Sequence, residues 1–123
     1  MSDLSNEDLQ WNKMWDLWAE EKLESPYEEL MNYYNEINNG GHIQFFDNVS
    51  NNHDLELYVQ NLLSILPSEM KSNFDIAYKT YLINPDDISD DNNQILDKCD
   101  NFYYENEKFV MDILKERANK IDL

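Results

Sequence analysis

The sequence predicts an all-α protein: one compact domain over residues 1–123, folded as a bundle of about five or six helices. Three observations carry that expectation. Apolar residues recur at helical spacing along almost the whole chain. Alternating β-branched runs, and Asn-Gly hairpins between apolar strands, are missing. The only two glycines, Gly40 and Gly41, are adjacent, so the backbone is expected to do something unusual there.

The first helix is predicted over residues 5–24. Ser5 and Asp8 form a capping-box-like pair at its start. Trp11, Met14, Trp15 and Trp18 fall on one face, which serves inter-helix packing or, alternatively, a homodimer or partner surface. The second helix is predicted to start with Ser25 as N-cap, Pro26 at the first helical position and Glu28 closing a capping box. Tyr27, Leu30, Tyr34 and Ile37 line its inner face. Asn39 or Gly40 then closes it with a left-handed cap, and Gly41 lets the chain reverse into a short buried helix over residues 43–49.

The next helix is expected to open at Asn52 or His53, to bury Leu55, Val59, Leu62, Leu63 and Leu66, and to end at Pro67. A fourth follows, with Met70, Phe74, Ala77 and Tyr81 inside and Asn84-Pro85 as its stop. Residues 84–93 read as an acidic loop. The last helical stretch spans about residues 94–120, with Ile95, Cys99, Phe102, Phe109 and Ile113 as inner positions and Lys115, Arg117 and Lys120 complementing its C-terminal dipole.

Composition narrows the function. Formal net charge is −17, which argues against nucleic acid or an anionic membrane as direct partner and favours a basic protein. The charge is uneven. Residues 1–66 carry 13 acidic and 2 basic side chains, residues 67–97 carry 7 and 2, and residues 98–123 carry 6 and 5. With 41% hydrophobic residues the chain is too apolar for a disordered acidic tail. Met1–Asp8 shows neither a basic nor an apolar leader region, and no run is long enough to cross a bilayer, so cytoplasmic residence is expected. Cys99 is the single cysteine, which excludes an internal disulfide and a Cys-based zinc site.

Motifs for catalysis are thin. His42 and His53 lie in separate contexts and read as packing or capping residues. No G-x-S-x-G, H-E-x-x-H or P-loop occurs. An EF-hand frame starting at Asp87 fails, because Asn92 stands where glycine is needed and Lys98 where glutamate is needed. No catalytic residue, cofactor site or metal site is therefore expected. The remaining signal is the carboxylates. Asp16, Glu20 and Glu24 recur at i, i+4 and i+8, and Glu28, Glu29 and Glu36 continue on the second helix. Four helical residues rise about 6 Å, the order of the phosphate spacing along a DNA strand. Asp86, Asp87, Asp90 and Asp91 form a second acidic patch.

The segment Asn39-Gly40-Gly41, then Gln44-Phe45-Phe46, then Asn48, resembles the signature of the DNA-mimic-protein family, small all-helical bacterial domains. Tyr33-Tyr34 before the motif, a Leu-rich helix from Leu55 to Leu66 and Asp100-Asn101-Phe102-Tyr103 extend the resemblance over about residues 27–118. His42 departs from it, since the family more often has an aromatic residue there. The resemblance implies a helical domain in which Asn39, Gly40, Gly41, Gln44, Phe45 and Asn48 serve architecture. It also implies that at least one member imitates DNA and captures a DNA-binding regulator. The leading expectation is a non-catalytic acidic protein that occupies the DNA-binding surface of a basic partner. The rivals are an immunity-type inhibitor of a basic toxin or nuclease, and a helical scaffold whose acidity is incidental.

Overall fold

A computed structural model describes residues 5–123; Met1–Leu4, part of the leader reading, lie outside the described residues. Five helices follow one another: α1 (Asn6–Ala19), α2 (Tyr27–Asn52), α3 (Leu55–Leu63), α4 (Ser68–Ile83) and α5 (Asp90–Ala118). No strand occurs among the described residues. The long α5 is the spine: α1, α2 and α4 pack on it, and α3 lies against α2.

Helix α1 starts as predicted, with Ser5 and Asp8 bonded reciprocally at 3.1 and 3.3 Å. It stops five residues earlier than predicted. Lys22 N–H donates to the Leu17 carbonyl and Glu21 N–H to that of Trp18, with Glu21 left-handed at φ 60°. This is a Schellman cap built on glutamate instead of glycine. Nothing in the glycine pattern announces it, and Leu23 still turns inward beyond it. Met14 is fully buried, while the three tryptophans are half-buried and meet edge-on, with Trp15–Trp18 centroids 5.4 Å apart. The stripe packs against the core.

The second helix corrects two expectations. Ser25 does not cap it; its hydroxyl instead donates to Glu29 Oε2 at 2.5 Å, because Glu29 is buried and needs a partner. Nor does the helix end at the glycines. It bends there and continues to Asn52, with Gly40 at φ −161° and Gly41 at φ 77°, ψ −169°. The Gly41 conformation belongs essentially to glycine alone, so the expectation of unusual backbone holds for one member of the pair. A bend frees backbone groups on both sides, and α5 satisfies them. Tyr104 Oη donates to the Ile37 carbonyl at 2.7 Å, and Asp100 Oδ1 accepts from His42 N–H at 2.9 Å. Glu107, further along α5, accepts from Asn38 Nδ2 at 2.8 Å.

Three of the motif residues make contacts around the bend. Phe45 is fully buried, with Tyr33 and Phe74 rings 5.0 and 5.9 Å away. Gln44 and Asn48 both donate to Glu36 Oε2, at 2.8 and 2.7 Å, bridging the two halves of the bent helix. Asn39 and Gly40 are exposed, whereas Gly41 is buried against Asp100.

Three further boundaries or faces differ from expectation. Asp54, not Asn52 or His53, caps α3 by accepting from Leu57 N–H at 3.1 Å. Helix α5 begins inside the predicted acidic loop, with Ser89 as its cap, so Asp90 and Asp91 sit in its first turn and complement its dipole. The buried stripe of α5 is Leu96, Cys99, Tyr103, Val110, Leu114 and Ala118, while Ile95 and Phe109 are exposed. Apolar residues stand side by side along this helix, and periodicity alone could not choose between phases. By contrast, Met70, Phe74, Ala77 and Tyr81 of α4 are all buried as predicted.

Candidate partner-binding surface

The carboxylates singled out in the sequence separate into four situations. Asp16 and Glu20 are exposed beside Leu9, Lys13 and Leu123. Glu24 is not the third member of a helical row, because α1 has ended; it accepts from Arg117 Nε at 2.5 Å, and that bond holds its carboxyl below the usual range. Glu29 is only 3% exposed and Glu36 is engaged by two amides, so neither is the free surface charge expected. Asp86, Asp87, Asp90 and Asp91 are exposed at the α4–α5 connection.

The fold also assembles an acidic groove that spacing did not reveal. Two hollows share His53 at the α2–α3 junction. One is lined by Glu28, Glu29, Asp54 and Tyr58, among others; the next runs along Glu21, Asn32, Glu36, Asn48 and Asn52. No lysine or arginine lines either one. Glu21 reaches this surface from the left-handed position of the Schellman turn, so a strained residue contributes charge to the groove. Glu21 and Asp54 were not among the predicted contact residues. They lie 33 positions apart in the chain, and only the folding of α3 beside α2 brings them to one groove.

Burial, then the neighbouring Glu29, push the Glu28 carboxyl up to about 7. The sign for stability follows. Between about pH 4.5 and 7 the unfolded chain releases this proton while the folded chain keeps it. Stability therefore falls as pH rises through that window and levels off above it. Glu28→Gln is expected to flatten the slope and to stabilise the protein by about 1–2 kcal/mol above about pH 8, since one pKa unit is worth about 1.4 kcal/mol and partial exposure discounts the full shift. Urea denaturation at several pH values measures it; an unchanged slope in the variant contradicts the assignment.

Tyr58 forms the inner wall of the first hollow. It is 5% exposed, and its enclosed hydroxyl lies beside the Asn32 side chain. Burial and the Glu28, Glu29 and Glu36 charges push its titration far up, so it stays a protonated donor and acceptor.

His42 contrasts with this surface. It is fully buried, with Nδ1 2.5 Å from Asp100 Oδ1 and Nε2 2.6 Å from Tyr33 Oη. With Asp100 Oδ1 accepting from Nδ1–H, Nε2 is left to accept from the tyrosine hydroxyl. Rings of Tyr33, Phe46 and Phe74 surround the imidazole. The sequence reading of His42 as a packing residue holds, but spacing gave no sign of its two partners. Asp100 lies in the Asp-x-Phe-Tyr element, and that element is what could have pointed to them.

No group of three His, Cys, Asp or Glu side chains is arranged to hold a metal among the described residues, and no described helix is long and apolar enough to cross a membrane. No curated protein and no solved structure matches the chain. A family model described as DMP19-like protein matches residues 29–119, nearly the span over which the sequence resembles DNA mimics. On that match, which takes in the bend of α2, α3, α4 and the whole of α5, the chain belongs to the DMP19-like protein family.

Proposed function

We propose that this protein is a non-catalytic DNA mimic that occupies the basic DNA-binding surface of a protein partner such as a transcriptional regulator. The observation that carries this reading is the groove at the α2–α3 junction, where exposed Glu21 and Asp54 and half-buried Glu28 gather without a lysine or arginine among the lining residues. Carboxylates along a groove offer a cationic surface what a phosphate backbone offers, without bases to read. Asp16 and Glu20 on one side, and Asp86, Asp87, Asp90 and Asp91 on another, extend the field that steers a basic partner. Family membership supports the same reading, since the family is named for a DNA mimic protein.

The test is affinity capture of a basic partner from host lysate at low salt. Retention is expected to collapse as ionic strength rises past about 0.1 M, where exposed charges are screened within about 10 Å, and duplex DNA is expected to displace the partner. The triple variant Glu21→Gln/Glu28→Gln/Asp54→Asn should weaken binding about tenfold or more, while Asn at position 54 still caps α3. Neutralising the exposed Glu105 and Asp112 of α5 should change it little. A partner that binds DNA and this protein together, indifferent to salt, refutes mimicry.

A further inference from the structure

The outer side of the α4–α5 seam leaves apolar side chains in water, and it shares no residue with the groove. Asn73 Nδ2 donates to the Cys99 carbonyl at 3.0 Å, which fixes the register of these two helices. Their short connection makes them antiparallel. One turn onward in α4 stands Ile76, and one turn back in α5 stands Ile95, so the two come abreast. Ile83 lies two turns beyond Ile76 on the same face of α4. Ile76, Ile83 and Ile95 are 52%, 70% and 38% exposed. Ile88, in the connection, is half-buried against the core. A lone exposed isoleucine needs no explanation, but several gathered along one seam mark an interaction surface. The border of this face is acidic. Between Lys79 and Lys98 the chain carries no cation, while Asp86, Asp87, Asp90 and Asp91 are exposed there. Lys79 is itself paired with Asp75 at 2.8 Å.

We propose that this face docks a basic amphipathic helix of the protein partner. Charge complementarity selects that occupant. A second copy of this chain brings the same aspartates to a two-fold contact, where like charges repel. An anionic membrane surface is repelled in the same way. A small cation answers the aspartates but leaves the isoleucines in water. An amphipathic helix answers both, with apolar residues at i, i+4 and i+7 laid on Ile76, Ile83 and Ile95 and lysines or arginines beside them meeting the aspartates. The inference deepens the DNA-mimic reading and rests on it only for the partner being a basic protein. It gives that partner a second contact of a different physical kind. Carboxylates of the groove attract through a field that salt screens, whereas burial of isoleucine surface does not weaken as salt rises. The two contacts are therefore separable by ionic strength.

The experiment is an NMR titration of the full chain with three peptides of about four helical turns: an amphipathic Leu/Lys helix, the same composition in scrambled order, and a Ser/Lys peptide of equal charge. The amphipathic peptide is expected to saturate with shifts centred on Ile76, Ile83, Asp91 and Ile95, and to bind at least about tenfold more tightly than either control. The double variant Ile76→Ser/Ile83→Ser should weaken it about tenfold at low and high salt alike. Its melting temperature should change little, because both side chains are exposed. Asp86→Asn/Asp87→Asn should weaken binding at low salt only. Equal binding of the scrambled peptide, shifts centred on the α2–α3 groove, or full affinity in the isoleucine variant each overturn the docking face. So does a homodimer in sedimentation that the isoleucine variant dissolves, since a second copy is then the occupant. If partner capture stays salt- and DNA-sensitive and the isoleucine variant captures at full strength, the docking face is wrong and mimicry stands. If the isoleucine variant weakens capture but DNA does not displace the partner, the docking face stands and mimicry falls.

Discussion

Gly41→Val is expected to destabilise the protein by about 3–5 kcal/mol, with Gly40→Ala costing less, about 1–2 kcal/mol. Both residues lie at one bend, yet their backbones differ. Gly41, at φ 77° and ψ −169°, occupies a region essentially closed to other residues, and forcing one there costs about 1–3 kcal/mol. A Cβ at this position also overlaps the Asp100 carboxylate. Moving Asp100 releases its bond to His42 N–H, a charge-assisted contact worth about 1.5–3 kcal/mol. Gly40 has extended φ that any residue adopts, and its added Cβ meets only Gln44, whose amide end can swing away while its Cβ, 2.9 Å off, must be eased aside. The swing costs one bond to Glu36, partly offset because alanine narrows the unfolded ensemble. Chemical denaturation of the two variants separates them; equal losses would show that the bend does not depend on Gly41.

His42→Leu is expected to cost about 2–4 kcal/mol. The imidazole is the only side chain that joins Asp100 to Tyr33 among the described residues. Its removal leaves a buried hydroxyl unpartnered, and takes from Asp100 one of its two bonds at the bend. Losing the imidazole is costly because the Tyr33 hydroxyl it leaves behind keeps its desolvation penalty. A double-mutant cycle tests the coupling: Tyr33→Phe added to His42→Leu should cost less than the sum of the two single changes, since it removes the orphaned hydroxyl. Strict additivity would show that the two side chains act independently. Neither change touches the groove, so salt-sensitive partner binding should persist wherever the fold does.

Much of this protein was legible in the chain because helices are local. The all-α class, the Ser5–Asp8 capping box, the α4 stripe of Met70, Phe74, Ala77 and Tyr81, and the break at Asn84 depend on contacts within a few residues, and spacing records them. One left-handed glycine in the Gly40-Gly41 pair was legible for the same reason. What that glycine accomplishes was not. A left-handed cap and a bend within a continuing helix look alike in sequence. The difference lies in Asp100 and Tyr104, which arrive from α5 to satisfy the freed N–H and carbonyl groups.

The candidate site divides along the same line. Net charge and its concentration in the first half of the chain are enough to point to a basic partner. Which carboxylates are free is decided by tertiary packing. Arg117, from the far end of the chain, neutralises Glu24, the fold withdraws Glu29 from solvent, and Gln44 and Asn48 engage Glu36. Folding α3 back beside α2 then sets Glu21, Glu28, Asp54 and the Tyr58 ring around adjoining hollows. The sequence by itself determined the helices and the sign of the surface, because propensity, capping and charge are properties of neighbouring residues. Only the tertiary structure decided where that charge stays exposed, because pairing and desolvation depend on what the fold brings within a few ångströms.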